Sequence, residues 1–564
     1  MLSAPPNPSA AAAPGERERA VLGLRLLAAY AVLNGCLCVR WPAPTPLSAW
    51  LLPGLDVAIL LAGMALFAPA PGWSAPWFSR IVAAVLVVLR LGRIADGVCL
   101  RYLDRRFHVV ADMALVPEFA RLVRSNLGWS GLALALGALC VASFVLFHCL
   151  TLSVRVFARV LGPPRAGDAF LMCVGAYAVL VALTSPHAQL VSKSVAPRVL
   201  RELELWLEAR GQFDDPEHAA RRRAFTARFD TRQSLLRSTP AALARTGKPD
   251  VHVLLVEAYG HTAQSTPAYR KQLAPAYAAF ADAVNGAGFV VCSSYVRATV
   301  FGGNSWMTHA SLQTAVPIYD QFEYSLLLEH SQHASLARAF GAAGYRTVSV
   351  KPGTTRPAPM TRIYGFEREY IARDFGYRGR SYAWSPMPDQ FVLQQIAQRE
   401  LAQPTRPLFL EYALVTSHFP WTPQPQYVPS SQSLGDGSLF VQQPPLEFRE
   451  PRAGLNAQTY AYLNSLGYDL RVISDYLVQH VRGDSLVVIL GDHQPIAPVA
   501  GEDRSRATPL HVLSRRGSLL APLLARGCTP GMFGARDEPS MGMEDLGITI
   551  LRLLSGELHD AGGS

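Results

Sequence analysis

The sequence predicts two structural classes in one chain: an N-terminal bundle of five transmembrane α-helices, and an α/β domain whose mostly parallel sheet is sandwiched by helices. Half of the 564 residues are hydrophobic and only 17% are charged, and the mean hydropathy is +0.16. This composition excludes a disordered chain and an ordinary water-soluble protein. Apolar runs lie before residue 190, and short strand-like runs alternate with helical patterns from residue 249. We therefore expect domains at 1–190 and 249–564, joined by a linker at 191–248.

Five mainly apolar segments have about the 20 residues that a helix needs to cross a bilayer. They lie at about 20–40, 48–70, 80–100, 128–153 and 167–189. The third is the weakest, because Arg90, Arg93 and Asp96 interrupt it. These charges could face the bundle interior, line a substrate path or hold the segment at the membrane interface.

Basic residues predict the orientation of the bundle. Arg17 and Arg19 precede the first segment, and further arginines lie between the fourth and fifth segments. Because positive charge is retained on the cytoplasmic side, we expect a cytoplasmic N-terminus with an uncleaved anchor. Five crossings then place the chain after residue 190 outside the cytoplasm. The arginine-rich loop at 101–124 disagrees with this orientation unless it lies as an amphipathic helix on the outer headgroups.

The net charge of +10 comes almost entirely from arginine, since only four of the 52 basic residues are lysines. Arginine suits phosphate groups and lipid headgroups. Codon bias in a GC-rich genome gives the same composition, so charge alone predicts no ligand, and we expect no nucleic-acid partner. The linker at 191–248 contains VLRELELWLEARGQF and is predicted to be an amphipathic, solvated or interfacial helix.

The eight cysteines have neither zinc-site spacing nor the density of a disulfide scaffold. Six lie in apolar stretches and are predicted to pack as small hydrophobic residues. Cys292 and Cys528 could form one bridge in an oxidising compartment, but the sequence does not show that they meet.

Six apolar runs after residue 249 are predicted strands, and amphipathic helices separate them. The runs are DVHVLLV (250–256), GFVVCSSYV (288–296), YRTVSV (345–350), LFLEYALV (408–415), SLVVILG (485–491) and LHVLS (510–514). Continuous apolar strands of this kind indicate a sheet that helices cover on both faces. Such sheets bind ligands beyond the carboxyl ends of their strands.

Three polar side chains follow two of these strands directly. Glu257 follows the first strand, and Asp492 with His493 follows the strand at 485–491. A carboxylate beside an imidazole suits manganese, zinc or magnesium, although each feature alone is also common in caps and turns.

Between these points, FGGNSWMTHASLQ (301–313) resembles a glycine-rich helix start. Gly302 and Gly303 permit close backbone approach, and Asn304 or Ser305 would then begin a helix whose N–H groups face an anion. Taken alone, Ser305 is as well explained as a helix cap. Together with the strand-end ligands, it could lie beside one metal ion that activates its hydroxyl as a nucleophile.

These residues resemble the alkaline-phosphatase/sulfatase superfamily, and within it the membrane-anchored phosphoglycerol transferases typified by lipoteichoic acid synthase. The resemblance covers roughly 250–560. It implies one divalent metal ion, Mn²⁺ in preference to Zn²⁺ or Mg²⁺, bound by Glu257, Ser305, Asp492 and His493. It also implies that Ser305 is the nucleophile, where that subfamily has threonine.

Further matches imply substrate contacts. LVTSHFPW resembles a His-Phe-Pro motif of the family, which makes His418 a catalytic and phosphate-contacting residue. MTRIYGFEREY makes Arg362 the candidate phosphate-binding arginine, in competition with Arg356. His511 is a weaker candidate for contact with the substrate or a second metal. Trp384 is interpreted either as packing or as part of a substrate pocket.

The resemblance implies a metal-dependent transferase of the bacterial inner membrane, multi-pass, with its catalytic domain on the periplasmic or extracellular side. It would move phosphoglycerol, or a related headgroup, from a membrane phospholipid through a phospho-serine intermediate to a glycan or other hydroxyl acceptor. The alternatives are a phosphodiesterase or phosphatase that uses water, a phosphoethanolamine transferase, and an inactive glycan-binding scaffold. Sulfatase chemistry is not expected, because Trp-Met-Thr follows Ser305 where that chemistry needs a maturation motif.

Overall fold

The computed structural model describes most of the chain after residue 247 and several helical stretches before it. The described residues are 16–39, 54–67, 76–102, 106–107, 109–113, 116–161, 167–174, 216–239, 247–330, 333–357, 360–429, 433–534 and 539–558. The chain forms two compact units, one comprising 1–100, 105–114 and 129–213, and the other comprising 101–104, 115–128 and 214–564.

The N-terminal part of the described chain is helical. Its helices are α1 (Glu16–Cys38), α2 (Leu55–Phe67), α3 (Pro76–Tyr102), α4 (Val109–Met113) and α5 (Val116–Leu161). Gly128 interrupts α5 with a φ of 71°, a backbone conformation that glycine adopts without steric cost. The long apolar part of α5 therefore begins at this break.

Two described helices are long and apolar enough to cross a membrane, where the sequence predicts five. They are α1 and the part of α5 from Gly128 to Leu161. Of the second predicted segment, the described residues include the 13 residues of α2, and the third, α3, carries the interrupting charges. Of the fifth, only 167–174 belongs to the described residues. Large apolar side chains on α5, such as Leu134 and Phe144, are exposed, as on a helix that faces lipid.

The charges of α3 bind backbone groups of its own unit. Arg90 Nη1 donates to the Val39 carbonyl oxygen at 2.9 Å, and Asp96 Oδ1 accepts from the Phe107 amide at 3.0 Å. Polar groups in an apolar bundle need such partners. Arg90 and Asp96 therefore have a structural explanation that requires no substrate path.

A nine-stranded sheet forms the centre of the second unit. The strands are β1 (Val251–Val256), β2 (Val290–Arg297), β3 (Arg346–Lys351), β4 (Arg368–Ile371), β5 (Leu408–Ala413), β6 (Leu486–Gly491), β7 (Ala507–Ser514), β8 (Thr529–Pro530) and β9 (Met541–Gly542). Their order is β4-β3-β5-β1-β6-β7-β2-β8, with β9 paired to β2. All six predicted strands are present, and β4, β8 and β9 were not predicted.

The sheet is mixed, which corrects the expectation of a mostly parallel sheet. Strands β4, β3, β5, β1 and β6 are parallel neighbours, whereas β7 runs antiparallel to both β6 and β2. The reason lies in the connection from β6 to β7, which contains only the four-residue helix Ala497–Ala500. A parallel return needs a longer crossover, usually with a full helix.

Helices cover both faces of this sheet. The described helices after residue 214 are α6 (Pro216–Ser238), α7 (Thr262–Ser265), α8 (Pro267–Gly286), α9 (Ser305–Thr314), α10 (Gln321–Glu329), α11 (Leu336–Ala342), α12 (Thr361–Tyr364), α13 (Asp389–Ile396), α14 (Leu439–Gln442), α15 (Ala457–Gln479), α16 (Ala497–Ala500), α17 (Gly517–Ala525) and α18 (Met543–Ser555). Leu254 of β1 belongs to the core under α8 and α15, and Val253 belongs to the core under α11 and α18. Successive strand residues point to opposite faces of the sheet. Because helices cover both faces, all six residues of β1 are buried. Five of them are apolar, and the sixth, His252, forms a hydrogen bond with Tyr476.

Helix α6 lies within the predicted linker and packs on the second unit, whereas VLRELELWLEARGQF lies outside the described residues. The Gln233 amide is fully buried. Its Nε2 donates to the carbonyl oxygens of Thr314 at 2.7 Å and Ala334 at 3.1 Å, and its Oε1 accepts from the Ala334 amide at 2.6 Å. One side chain thus forms hydrogen bonds with three backbone groups, one buried and two partly buried.

Cys292 and Cys528 lie close together on β2 and just before β8. Interaction with the Cys528 thiol and burial raise the pKa of Cys292, and both thiols are free in the structure. The fold therefore brings together the two cysteines for which the sequence left a bridge open.

We expect Gln233→Leu to lower the free energy of unfolding of the second unit by about 3 kcal/mol, because it leaves one buried and two partly buried backbone groups without this partner. Denaturant unfolding of the full-length protein in detergent measures this. Arg222→Ala is the control, because its ion pair with Glu329 is solvent-exposed and worth about 1 kcal/mol or less. Equal losses in the two variants would contradict the role of Gln233.

Candidate metal centre

The centre is built where two adjacent parallel strands end. Val256, the last residue of β1, is in register with Gly491, the last residue of β6. The next residues, Glu257 and Asp492, therefore leave the sheet side by side, and His493 follows. The carboxyl edge of a sheet is the place where such folds bind ligands.

Glycine at 491 permits this close approach. A Cβ at that position would lie 1.8 Å from the Tyr259 carbonyl oxygen, a contact that only displacement of the backbone could relieve. The loop after β1 is held from the same side, since Asp492 Oδ1 accepts from the Ala258 amide at 2.8 Å. Asp492 is therefore fixed before any ligand binds.

Donor atoms of Glu257, Asp492 and His493 all lie within 4.8 Å of one another, and all three residues are buried. His493 Nε2 lies 3.2 Å from Glu257 Oε1 and 3.8 Å from Asp492 Oδ1. The ring donates from Nδ1 to the Gln494 carbonyl oxygen at 2.7 Å, which leaves the lone pair on Nε2. That atom is buried without a hydrogen-bond partner. An orphaned imidazole nitrogen between two carboxylates fits a divalent cation.

The electrostatics of the three groups are strongly coupled. Burial by itself raises the pKa of Glu257, but His418 and His493 outweigh it and lower the value to about 2. Burial and the Glu257 charge raise the pKa of Asp492 well above its ordinary value. Burial lowers the pKa of His493, but Asp492 and Glu257 outweigh it and raise the value to about 9. Without a cation, the cluster therefore holds a proton at neutral pH.

Ser305 begins helix α9 and is half-buried. The turn before it is tied to the centre, since the Gly302 amide donates to the Gln494 carbonyl oxygen at 3.1 Å. One helical turn after Ser305, Nε2 of His309 lies 3.9 Å from Asp492 Oδ2. Residues four apart share a helix face, so Ser305 lies on the face of α9 that is turned towards Asp492.

His418 also approaches the cluster, from the loop after β5. Its Nε2 lies 4.0 Å from Glu257 Oε1, and its ring stacks on Trp384 with centroids 4.9 Å apart. Ser417 Oγ donates to the Glu257 carbonyl oxygen at 2.7 Å. Asp389 holds the same loop by accepting from two of its backbone amides. Trp384 thus defines the orientation of the His418 ring.

Two predicted contacts are not brought to the cluster. Arg362 has an exposed side chain on α12, and among the described residues it forms no ion pair with Glu257 or Asp492. His511 is fully buried and bonds through Nδ1 to Ser293 at 2.7 Å and through Nε2 to Tyr259 at 3.0 Å. Both of its nitrogens are occupied, which argues against the expected contact with substrate or metal.

Two residues near the cluster, His309 and Lys351, were not predicted from the sequence. Burial and the charge of Lys351 lower the pKa of His309 to about 3, so its ring is neutral. Lys351 ends β3 and pairs with Glu369 at 3.0 Å. The four-residue spacing between Ser305 and His309 is a sequence signal that could have identified the histidine; no comparable local signal marks Lys351.

We expect Glu257→Gln combined with Asp492→Asn to abolish divalent metal binding, because the variant keeps the shape of both side chains and removes their charge. Elemental analysis after dialysis against Mn²⁺ measures metal per chain. Asp436→Asn, an exposed carboxylate elsewhere in the unit, should retain the wild-type content. Wild-type metal content in the double variant would refute the site.

We also expect Mn²⁺ affinity to rise about tenfold per pH unit between pH 7 and pH 8. A cation needs the neutral His493 imidazole, and the pKa of about 9 means that binding displaces one proton in this range. Calorimetric titrations in buffers of different ionisation enthalpy measure both the affinity and the released proton. Affinity independent of pH would contradict the predicted protonation.

Residues 250–556 of this chain match the model of a known protein family. The family model described as Sulfatase matches residues 250–556, which is more than half of the chain. A comparison of this chain with curated protein sequences found no significant match.

Several solved structures are similar to part of this chain at low sequence identity. Lipoteichoic acid synthase LtaP from Listeria monocytogenes is 14% identical, with 58% of this chain and 78% of that chain covered and a TM-score of 0.35. The phosphoglycerol transferase GacH from Streptococcus pyogenes, in complex with sn-glycerol-1-phosphate, is 13% identical, with coverages of 59% and 81% and a TM-score of 0.36. The C-terminal periplasmic domain of EcEptC from Escherichia coli, in complex with zinc, is 16% identical, with coverages of 55% and 83% and a TM-score of 0.36. The match over 250–556 confirms the resemblance that the strand-end acid, the helix-start serine and the Asp-His pair suggested, and the chain belongs to the sulfatase family.

Proposed function

We propose that this protein is a metal-dependent transferase that moves phosphoglycerol, or a related headgroup, from a membrane phospholipid to a glycan or other hydroxyl acceptor. The observation that carries the proposal is the convergence of Glu257, Asp492 and His493 within 4.8 Å, beside the helix that begins at Ser305. A hydroxyl next to a buried cation site is the arrangement that nucleophilic phosphoryl transfer requires.

Two steps share this site. Ser305 Oγ gives up its proton and attacks the phosphorus of the donor, the bond from phosphorus to the diacylglycerol oxygen breaks, and that oxygen takes up a proton as diacylglycerol leaves. An acceptor hydroxyl then gives up its proton and attacks the phosphorus of the phospho-serine, the bond from phosphorus to Ser305 Oγ breaks, and that oxygen takes up a proton. When bound by Glu257, Asp492, His493 and Ser305, a divalent cation, which we propose is Mn²⁺ in the native protein, offsets phosphate charge and favours ionisation of the serine hydroxyl.

His418 is suited to proton transfer and phosphate contact. It lies at the rim of the cluster, 29% exposed in its side chain and 4.0 Å from Glu257, so its Nε2 is accessible to a substrate. Stacking on Trp384 holds the ring in place. Because His418 can either donate or accept a proton, it can serve the leaving diacylglycerol oxygen and the incoming acceptor in turn. Arg362, exposed on α12, remains the proposed phosphate-binding arginine.

Attachment to the membrane explains how the site meets a lipid. We propose that the N-terminal segments form a five-helix multi-pass anchor in a bacterial inner membrane, with the catalytic domain on the periplasmic side. The apolar helices α1 and α5 support an anchor. Tethering raises the effective concentration of the site at the bilayer surface, where the phospholipid donor is present and a polar acceptor arrives from the aqueous side.

We expect membranes that contain the wild-type protein and labelled phosphatidylglycerol to yield a Ser305 peptide carrying the headgroup phosphate, detected by mass spectrometry. Ser305→Ala should lose both the modified peptide and headgroup transfer, by at least about a hundredfold, because the nucleophile is absent. Ser305→Thr, which keeps a hydroxyl, is the matched control and should retain activity.

The products distinguish the transferase from its alternatives. A labelled glycan supports transfer, whereas free headgroup alone would assign a phosphodiesterase or phosphatase that uses water. Labelling from phosphatidylethanolamine in place of phosphatidylglycerol would assign a phosphoethanolamine transferase. An unchanged cellular phenotype in Ser305→Ala with normal expression would instead indicate an inactive scaffold.

A further inference from the structure

His309 is the buried histidine next to the centre that no step above uses. Its side chain is 10% exposed, and its Nε2 is buried without a hydrogen-bond partner. A buried imidazole nitrogen without a partner has lost its hydrogen bonds to water and gained none in the protein. An unpaired polar atom of this kind in a native fold calls for a ligand or a bound ion.

The geometry around Asp492 shows where such an ion would lie. Asp492 Oδ1 is 3.8 Å from His493 Nε2, and its Oδ2 is 3.9 Å from His309 Nε2. Both distances are too long for hydrogen bonds. They are short enough for pairs of donors that share a cation, because two ligands each about 2.1 Å from an ion lie up to about 4.2 Å apart. The Asp492 carboxylate is thus flanked by two imidazoles, each with its Nε2 facing one oxygen.

Helix α9 also connects His309 with Ser305, because both residues belong to it. The His309 side chain leans towards the N-terminus of the helix, as helical side chains do, and therefore towards the turn that begins with Ser305. A cation held by His309 would attach α9 to the end of β6. The same bond would fix the distance between Ser305 and the ion.

We propose that His309 Nε2 is a further ligand of the divalent cation, acting with Asp492 Oδ2, so that the centre has two histidine donors in place of one. This inference rests on the proposed metal site and adds to it a donor from the helix that carries the nucleophile. His309 lies outside the group whose donor atoms are already within 4.8 Å of one another, so its ring moves inward when the ion binds.

The test counts nitrogen ligands on bound Mn²⁺ by pulsed electron paramagnetic resonance of the full-length protein. The wild type should show two imidazole nitrogens, and His309→Leu should show one together with a weaker Mn²⁺ affinity, by about tenfold or more. His309→Asp, which restores an oxygen donor, should recover much of the affinity while still showing one nitrogen. His480→Gln, at the C-terminal end of α15, is the matched control and should resemble the wild type.

The outcomes separate this inference from the proposed function. One nitrogen in the wild type, or a signal and affinity unchanged in His309→Leu, would overturn the role of His309 and leave the three-residue site and the transferase proposal standing. No Mn²⁺ binding by the wild type would overturn both. Unfolding curves recorded in chelator distinguish loss of the fold from loss of the ligand, since all variants should unfold near the wild-type midpoint without metal.

Discussion

The parallel pairing of β1 with β6 is the constraint on which the candidate site depends. Because Val256 and Gly491 are in register, two carboxylates and an imidazole are forced together at one buried edge. The two negatively charged carboxylates repel each other, and burial adds a desolvation cost to the charged form of each. The protein tolerates this arrangement because the Ala258 amide and the His493 ring stabilise negative charge there, and a cation would stabilise it further.

The candidate site also requires that elements far apart in the chain take fixed positions relative to this edge of the sheet. Helix α9 reaches it through a turn bound to the Gln494 carbonyl, and the His418 loop reaches it through Ser417, which donates to the carbonyl oxygen of Glu257 itself. Both tethers use backbone atoms of residues that carry or adjoin the ligands. A shift of the cluster would therefore move Ser305 and His418 with it, which preserves their relative geometry.

The sequence pattern predicts which residues are buried and which follow a strand, but it does not predict contacts between residues that are distant in the chain. Glu257 and Asp492 could be placed because an apolar run marks a strand, and the polar residue after it must lie at the sheet edge. The hydrogen bonds of His511 could not be predicted because it lies within a strand, where only the partners Ser293 and Tyr259, distant in sequence, show that both ring nitrogens are occupied. The antiparallel direction of β7 was missed because strand patterns record burial and not direction. His309 was missed because a helical spacing of four is also ordinary packing, and its unpaired nitrogen is visible only in three dimensions.

The attachment of α6 has a mechanical consequence. Gln233 and Arg232 fasten this helix to the carbonyl oxygens of Thr314 and Ala315, at the opposite end of α9 from Ser305. In sequence, α6 is the first described helix of the second unit after Gly128. A pull on the N-terminal end of α6 would thus act, through these side-chain bonds, on the end of α9 that is remote from Ser305.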